Sequence, residues 1–433
     1  EINITDSGFT GNTAGNGGAV WNGADGKVNI TNSTFINNTA TLDSHVLQQG
    51  GAITNAGKMT ITGSTFTGNK AGQNGGAIFN AAPQGSDAEG LTITDSSFTD
   101  NKAGQNGGAI FNAKDQKLTF NGSNVFSGNQ AGEKANDIHN SGTITVAGGT
   151  TTLGSGYSQN QGSLTVKGGA TLESLGTMEI VGGSVEFKND SLFAVNGSAL
   201  TGENAAIILS GDASMTVGDT ARLRINNAKN GQTYSIVKDA SSAAETNTVW
   251  MGNIETSSDM LTLHMKDNGT VSTEARDASE VFTGMDGDTA AIVNGLYGKG
   301  LNNTDADEMG VRFLSRATDK NFLGMDKKAA AESIESATRI AFAGAAPQMT
   351  KMASDAATNA VVNRLGFANP VDGAQAINSE GKIVDRDTTG FALWIAPLWQ
   401  SQNGWGLEAG NMDYGFNGNL GGVSLGADYT FEN

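Results

Sequence analysis

Residues 66–81 read FTGNKAGQNGGAIFNA, and residues 98–113 read FTDNKAGQNGGAIFNA, a single exchange apart at Gly68 and Asp100. A stretch that returns almost unchanged after about 32 residues marks a repeat array, in which each copy is one supersecondary unit that needs its neighbours to bury an apolar face. Everything N-terminal to about residue 145 varies this theme.

Aligned on these two copies, the rest fall into columns. Ile2 and Ile4, Val28 and Ile30, Met59 and Ile61, Leu91 and Ile93, and Leu118 and Phe120 alternate with other residues, the period of a strand with one buried face. Phe9, Phe35, Phe66 and Phe98 follow at a fixed distance, Phe126 arrives one residue late, and these five form a candidate core ladder. Asn12, Asn38, Asn69, Asn101 and Asn129 stand three residues further on. The second strand of each copy is GGA plus an aliphatic residue, at 17–20, 50–53, 75–78 and 107–110, with a degraded copy at 135–138.

Val20, Ile53, Ile78, Ile110 and Ile138 never become polar, so this column points inward. Alternation then sends Trp21, Thr54, Phe79, Phe111 and His139 outward, as a candidate interaction strip. A competing reading packs these side chains beneath loops at 23–27 and 81–90. The next column is Asn without exception, Asn22, Asn55, Asn80, Asn112 and Asn140, as suits a stacked turn where Asn tolerates left-handed geometry and bonds its equivalents above and below. These columns predict an all-β fold, a right-handed parallel β-helix. A helical solenoid of this period needs apolar residues at every third and fourth position and strong helix formers, and has neither here.

Composition agrees. The 433 residues include 61 Gly but only 4 Pro, so the chain turns often while strand N–H groups stay free to pair. The net charge of −18 opposes nucleic acid as a partner, because phosphate contacts need the opposite sign. Cysteine is absent, which excludes disulfides and thiolate chemistry. No apolar run of about 18 residues predicts a transmembrane helix. The N-terminus carries no charged head with an apolar core and already lies inside a repeat, so the sequence reads as a fragment of a longer chain.

Beyond the repeats (1–142), alternating strands persist over 143–230 and predict a β-helix continued with shorter rungs. Residues 231–275 then read as a module capping its end, with strands at 234–237 and 261–265. Residues 276–328 turn helical, and 329–366, rich in Ala and short polar residues, predicts a linker helix kinked near Pro347. A polar linker at 367–389 precedes 390–433. There GFALWIAPL (390–398) and the alternation of Val423, Leu425, Ala427, Tyr429 and Phe431 predict the first strands of a truncated transmembrane β-barrel.

The interleaved GGA[ILV] and FxxN sites resemble the repeats of polymorphic outer membrane proteins, and the order of β-helix, small-residue helix and barrel strands is similar to autotransporters of type V secretion. The resemblance implies a barrel in the outer membrane, set there by the barrel-assembly machinery, a helix through its lumen, and a passenger displayed outside the bacterial cell. It also implies an autochaperone-like role for the capping module and adhesion to a host-cell or glycan ligand, without catalysis.

Chemistry offers little against this. No GxSxG element is present, and Asp6 shares a column with Asn32, Gly63, Asp95 and Asn121, which selects for turn geometry and not for a carboxylate. Asp100 likewise shares its column with Gly11, Asn37, Gly68 and Gly128. His45, His139 and His264 are far apart in sequence, and the acidic nonapeptide of calcium-binding rolls is absent, so neither a triad, a metal nor a cofactor is expected. The alternatives are a β-helical polysaccharide lyase or hydrolase, with carboxylates along a groove, and a structural surface spacer.

Overall fold

The computed structural model describes residues 1–41, 48–81, 90–200, 204–239, 250, 253–256, 258–265, 270–298, 331–332, 334–335, 375–378, 383–384, 390–409 and 412–430. Among them, one compact unit is built mainly of Glu1–Asp277, and a second holds Ala278–Val293 and the described residues from 331 onward.

The first unit is an all-β parallel solenoid. Each copy of the repeat makes four short strands, one per side: in the third rung Lys58–Thr62, Thr65–Thr67, Lys70–Ala71 and Ile78–Asn80. These pair in register with the next rung, Met59 with Leu91, Phe66 with Phe98, Ala71 with Ala103 and Ile78 with Ile110, all parallel. Parallel register turns each sequence column into a physical ladder. Among the described residues the first side gathers nine strands, the second ten, the third six and the fourth eleven.

The side chains explain the strand choice. On the first side Met59 and Ile61 are buried while Lys58 is exposed, so β-branched and long apolar residues face a narrow core from alternate positions. Corners need left-handed backbone: Asp6, Asn32 and Asp95 have φ of 48°, 49° and 50°, with Gly63 and Gly122 in the same column; Asn121, read into it from sequence, instead ends the strand Lys117–Asn121 opposite Thr94, because the fifth copy carries one more residue here. Only Gly, Asn and Asp adopt that region at small cost, which is why the column mixes these three. The second Gly of GGA answers a different demand. A β-carbon on Gly76 would sit 2.0 Å from the Gly108 carbonyl oxygen, so backbone of adjacent rungs fills that space.

Phe9, Phe35, Phe66, Phe98 and Phe126 form one stack, with ring centroids 4.8 Å apart for the first pair and 4.7 Å for the rest. The Asn22 column is a second ladder: Nδ2 of Asn22, Asn55, Asn80 and Asn112 each donates to the Oδ1 of the next, at 2.7, 2.8, 2.8 and 2.9 Å. The column of Asn12, Asn38, Asn69, Asn101 and Asn129 is linked in the same manner. In it the amides of Asn38, Asn69, Asn101 and Asn129 also donate to a Phe carbonyl of an earlier rung.

This second ladder ends on a carboxylate. Asp137, fully buried, takes the Nδ2 of Asn129 on Oδ1 at 2.8 Å and the N–H of Ser155 on Oδ2 at 2.7 Å. Here the third side stops, its last strand Lys134–Ala135 turning back antiparallel on Gln130–Ala131. From Thr143 onward the rungs have three strands, for example Ser163–Val166, Ala170–Ser174 and Met178–Ile180. Among the described residues these rungs lack the third side altogether.

At the far end Thr233–Asp239 is the last parallel strand of the fourth side, and Leu261–Met265 and Thr270–Ala275 add to it antiparallel. Trp250 closes the core there, with its ring 5.4 Å from Phe187 and 5.8 Å from Phe193.

In the second unit Ala278–Val281 is a helix, as are 331–332 and 334–335; the longer helix Gly287–Gly298 begins there. The rest of the expected linker helix, 329–366, lies outside the described residues. Two long strands, Gly390–Ala409 and Met412–Thr430, pair antiparallel, twice the length that alternation alone reveals. The segment read as a polar linker carries strands Gln375–Asn378 and Ile383–Val384, the former paired with Gly390–Ala409. Strands this short show no period in sequence; partner hydrogen bonds define them. Among the described residues no helix is long and apolar enough to cross a membrane, which says nothing of a β-barrel.

Candidate functional site

Each strand of the fourth side is three residues long in the repeat region: an aliphatic residue inward, one side chain outward, then the turn Asn. A single outward position per rung makes a narrow ridge. Its members pair in register, Trp21 with Thr54, Thr54 with Phe79, Phe79 with Phe111 and Phe111 with His139.

The ridge is not uniform. Trp21 is 67% exposed and lies over Gly23, where a β-carbon would come within 3.2 Å of the indole. Thr54 departs from the outward reading: it is only 7% exposed, and its hydroxyl donates to the Gln49 carbonyl at 2.9 Å. A short side chain that can bond its own loop has no reason to stay in water.

Phe79, Phe111 and His139, all half-buried, form a continuous stack. Centroids are 5.3 Å and 5.2 Å apart and the planes are inclined by 16° and 10°. Aromatic side chains on neighbouring strands stabilise a sheet face by direct contact.

Beyond His139 the ridge becomes polar, with Ser158 and then Glu179 in the same column. His139 Nδ1 lies 2.9 Å from Ser158 Oγ and its Nε2 lies 3.4 Å from Ser141 Oγ, while Asn136 donates to Ser158 Oγ at 3.0 Å. Burial holds the imidazole below its usual range, so it is neutral at physiological pH. Neither Ser158 nor Asn136 stands out in sequence, because both fall where the repeat has degraded. Asp137 could have been found: it occupies a column that reads Ala19, Ala52, Ala77 and Ala109 in earlier copies.

The other candidates have structural settings. Asp100 sits at φ 55°, a corner residue like Gly68 and Gly128 of its column. His264 lies on the exposed hairpin of the cap, its Nε2 3.5 Å from Glu274. Among the described residues no group of three or more His, Cys, Asp or Glu could hold a metal ion. His45 and residues 82–89, most of one loop read as a cover for the aromatics, lie outside the described residues.

The chain matches the Chlamydia polymorphic membrane protein (Chlamydia_PMP) repeat at residues 63–81 and 95–113. These segments are two successive copies, and each contains one Phe of the half-buried stack, Phe79 and Phe111. No curated protein and no solved structure matches the chain.

Proposed function

We propose that this chain, with its two polymorphic membrane protein repeats on a parallel solenoid, is the surface-exposed, adhesin-like part of an outer-membrane protein of autotransporter type. The observation that carries the reading is the coincidence of the matched repeats with the aromatic ridge: the repeat that fixes the frame also sets Phe79 and Phe111 side by side, half-exposed. The ladders hold this ridge on a rod, as a contact surface must be held when it works away from its anchor.

In this proposal the strands Gly390–Ala409 and Met412–Thr430 open the barrel that anchors and exports the rod. Strands of 20 and 19 residues exceed the roughly 9 to 11 that a tilted membrane strand needs, leaving length to project beyond the bilayer. Its role is attachment and not turnover. Expression of the complete reading frame in a Gram-negative host, followed by protease shaving of intact cells, tests the export reading. Release of repeat peptides from the cell surface is the expected result, and retention of the repeats inside shaved cells contradicts it.

A further inference from the structure

We propose that the Phe79–Phe111–His139 stack recognises aromatic side chains of a protein partner, and not sugar rings; this rests on the ridge being the contact surface, as read above. The orientation of the rings carries the distinction. Phe111 has Phe79 against one face at 5.3 Å and His139 against the other at 5.2 Å, with planes within 16° of parallel. A pyranose binds an aromatic residue by laying its C–H face on an open ring face, and the central ring of this stack has none to offer. What faces solvent is a row of ring edges.

An aromatic edge carries the positive end of the ring quadrupole, and its best neutral complement is the negative face of another ring, in a T-shaped contact with centroids about 4.5 to 7 Å apart. Successive ring centroids here are 5.2 to 5.3 Å apart with the planes near parallel, so one phenol or indole laid flat across the edges spans two of them.

The surroundings select in the same direction. Sugar recognition needs free polar groups beside the stacking surface. The Thr54 hydroxyl is instead committed to Gln49, and the Ser158 and Ser141 hydroxyls lie against the His139 ring nitrogens. No charge resides in the stack itself, since its members are two Phe and a neutral His. At the corner leading into this side, Asn74 and Asn106 are bonded to one another at 3.0 Å. An ionic ligand finds no partner on the stack, although the chain as a whole carries −18. Trp21, two rungs away and outside the stack, lies outside the claim.

The test is saturation-transfer NMR on the full chain with three probes: an acetylated peptide of alternating Thr and Tyr, the same peptide with Leu for Tyr, and cellohexaose. Transfer to the Tyr ring protons is expected to exceed that to the Leu methyls and to fall about fivefold in F79S/F111S, as loss of about 1 kcal/mol of edge-to-face contact requires. Cellohexaose is expected to show no transfer that depends on Phe79 and Phe111. The inference is overturned by such transfer to cellohexaose, by equal signals from the Tyr and Leu peptides, by a Tyr signal indifferent to F79S/F111S, or by no signal from any probe. Attachment of displaying cells separates the two failures. Attachment lost in F79S/F111S without Tyr preference sinks the inference alone, whereas attachment unchanged sinks the reading of the ridge.

Discussion

The four-sided and three-sided parts of the solenoid solve one problem in two ways. Up to Asn129 the Phe and Asn columns keep one residue in every rung, so Phe stacks on Phe and Asn bonds Asn, and each buried amide finds both a donor and an acceptor in its neighbours. After the third side ends, the columns become mixed: Phe126 pairs with Leu153, Leu153 with Ser174 and Ser174 with Val195. Among the described residues, the buried side-chain atoms without a hydrogen-bond partner, Asn136 Oδ1, Thr151 Oγ1, Ser191 Oγ and Trp250 Nε1, all lie at or beyond this junction. Repetition satisfies polar groups automatically, and a mixed core must satisfy them one at a time.

The largest effect expected from this contrast is at Phe66, stacked on both faces. Phe66→Ala should cost about 4 kcal/mol, against about 3 kcal/mol for Leu153→Ala in the mixed column, both read from urea unfolding. An equal or greater cost at Leu153 would break the comparison. Next is Asn69→Ala, which strips a buried amide bonded to Phe35, Asn38 and Asn101 and takes a buried bond from each, for about 3 kcal/mol.

Asp137 probes the junction itself. Both carboxylate oxygens accept, so Asp137→Asn sets an amide N–H against the Ser155 N–H or the Asn129 amide and should cost about 1 to 3 kcal/mol at neutral pH. Burial raises the Asp137 pKa above 3.8, which fixes the sign of the pH dependence. The protonated form is favoured by folding, so the native chain gains stability as pH falls through the raised value, with the gain complete below 3.8. The variant cannot follow, and its deficit should widen between about pH 7 and pH 4. A deficit that narrows would show the carboxylate to be favoured in the fold.

The smallest effect is expected at Thr151, whose hydroxyl is buried without a partner beside a cavity of about 10 Å³ lined by Phe120, Leu153 and Leu172. Thr151→Val keeps the shape and removes the orphan, so it should stabilise the chain by about 1 kcal/mol in the same measurement.

The ladders were legible in the sequence because register repeats: Phe66 and Ile78 could be placed by their equivalents alone. The late arrival of Phe126 was also visible, and the structure resolves it by letting Asn124 take the position of Ser96 as acceptor for the rung below. The third side was not legible, since strands such as Lys70–Ala71 are two residues long and have no period to detect. At the candidate site the outward column could be read, but the fate of Thr54 depends on a bond to Gln49 that alternation does not encode. Ring orientation, on which the choice between sugar and protein turns, is a property of stacked neighbours and is absent from any one residue.

The central claim is that the frame and the ridge are separable, one made for stability and the other for contact. It is tested most directly by displaying the complete protein with Phe79→Ser and Phe111→Ser together and measuring both its unfolding and the attachment of the displaying cells. The account predicts a stability loss of about 1 to 2 kcal/mol, well below that of Phe66→Ala, with attachment abolished. Attachment at the level of the unaltered protein would contradict it.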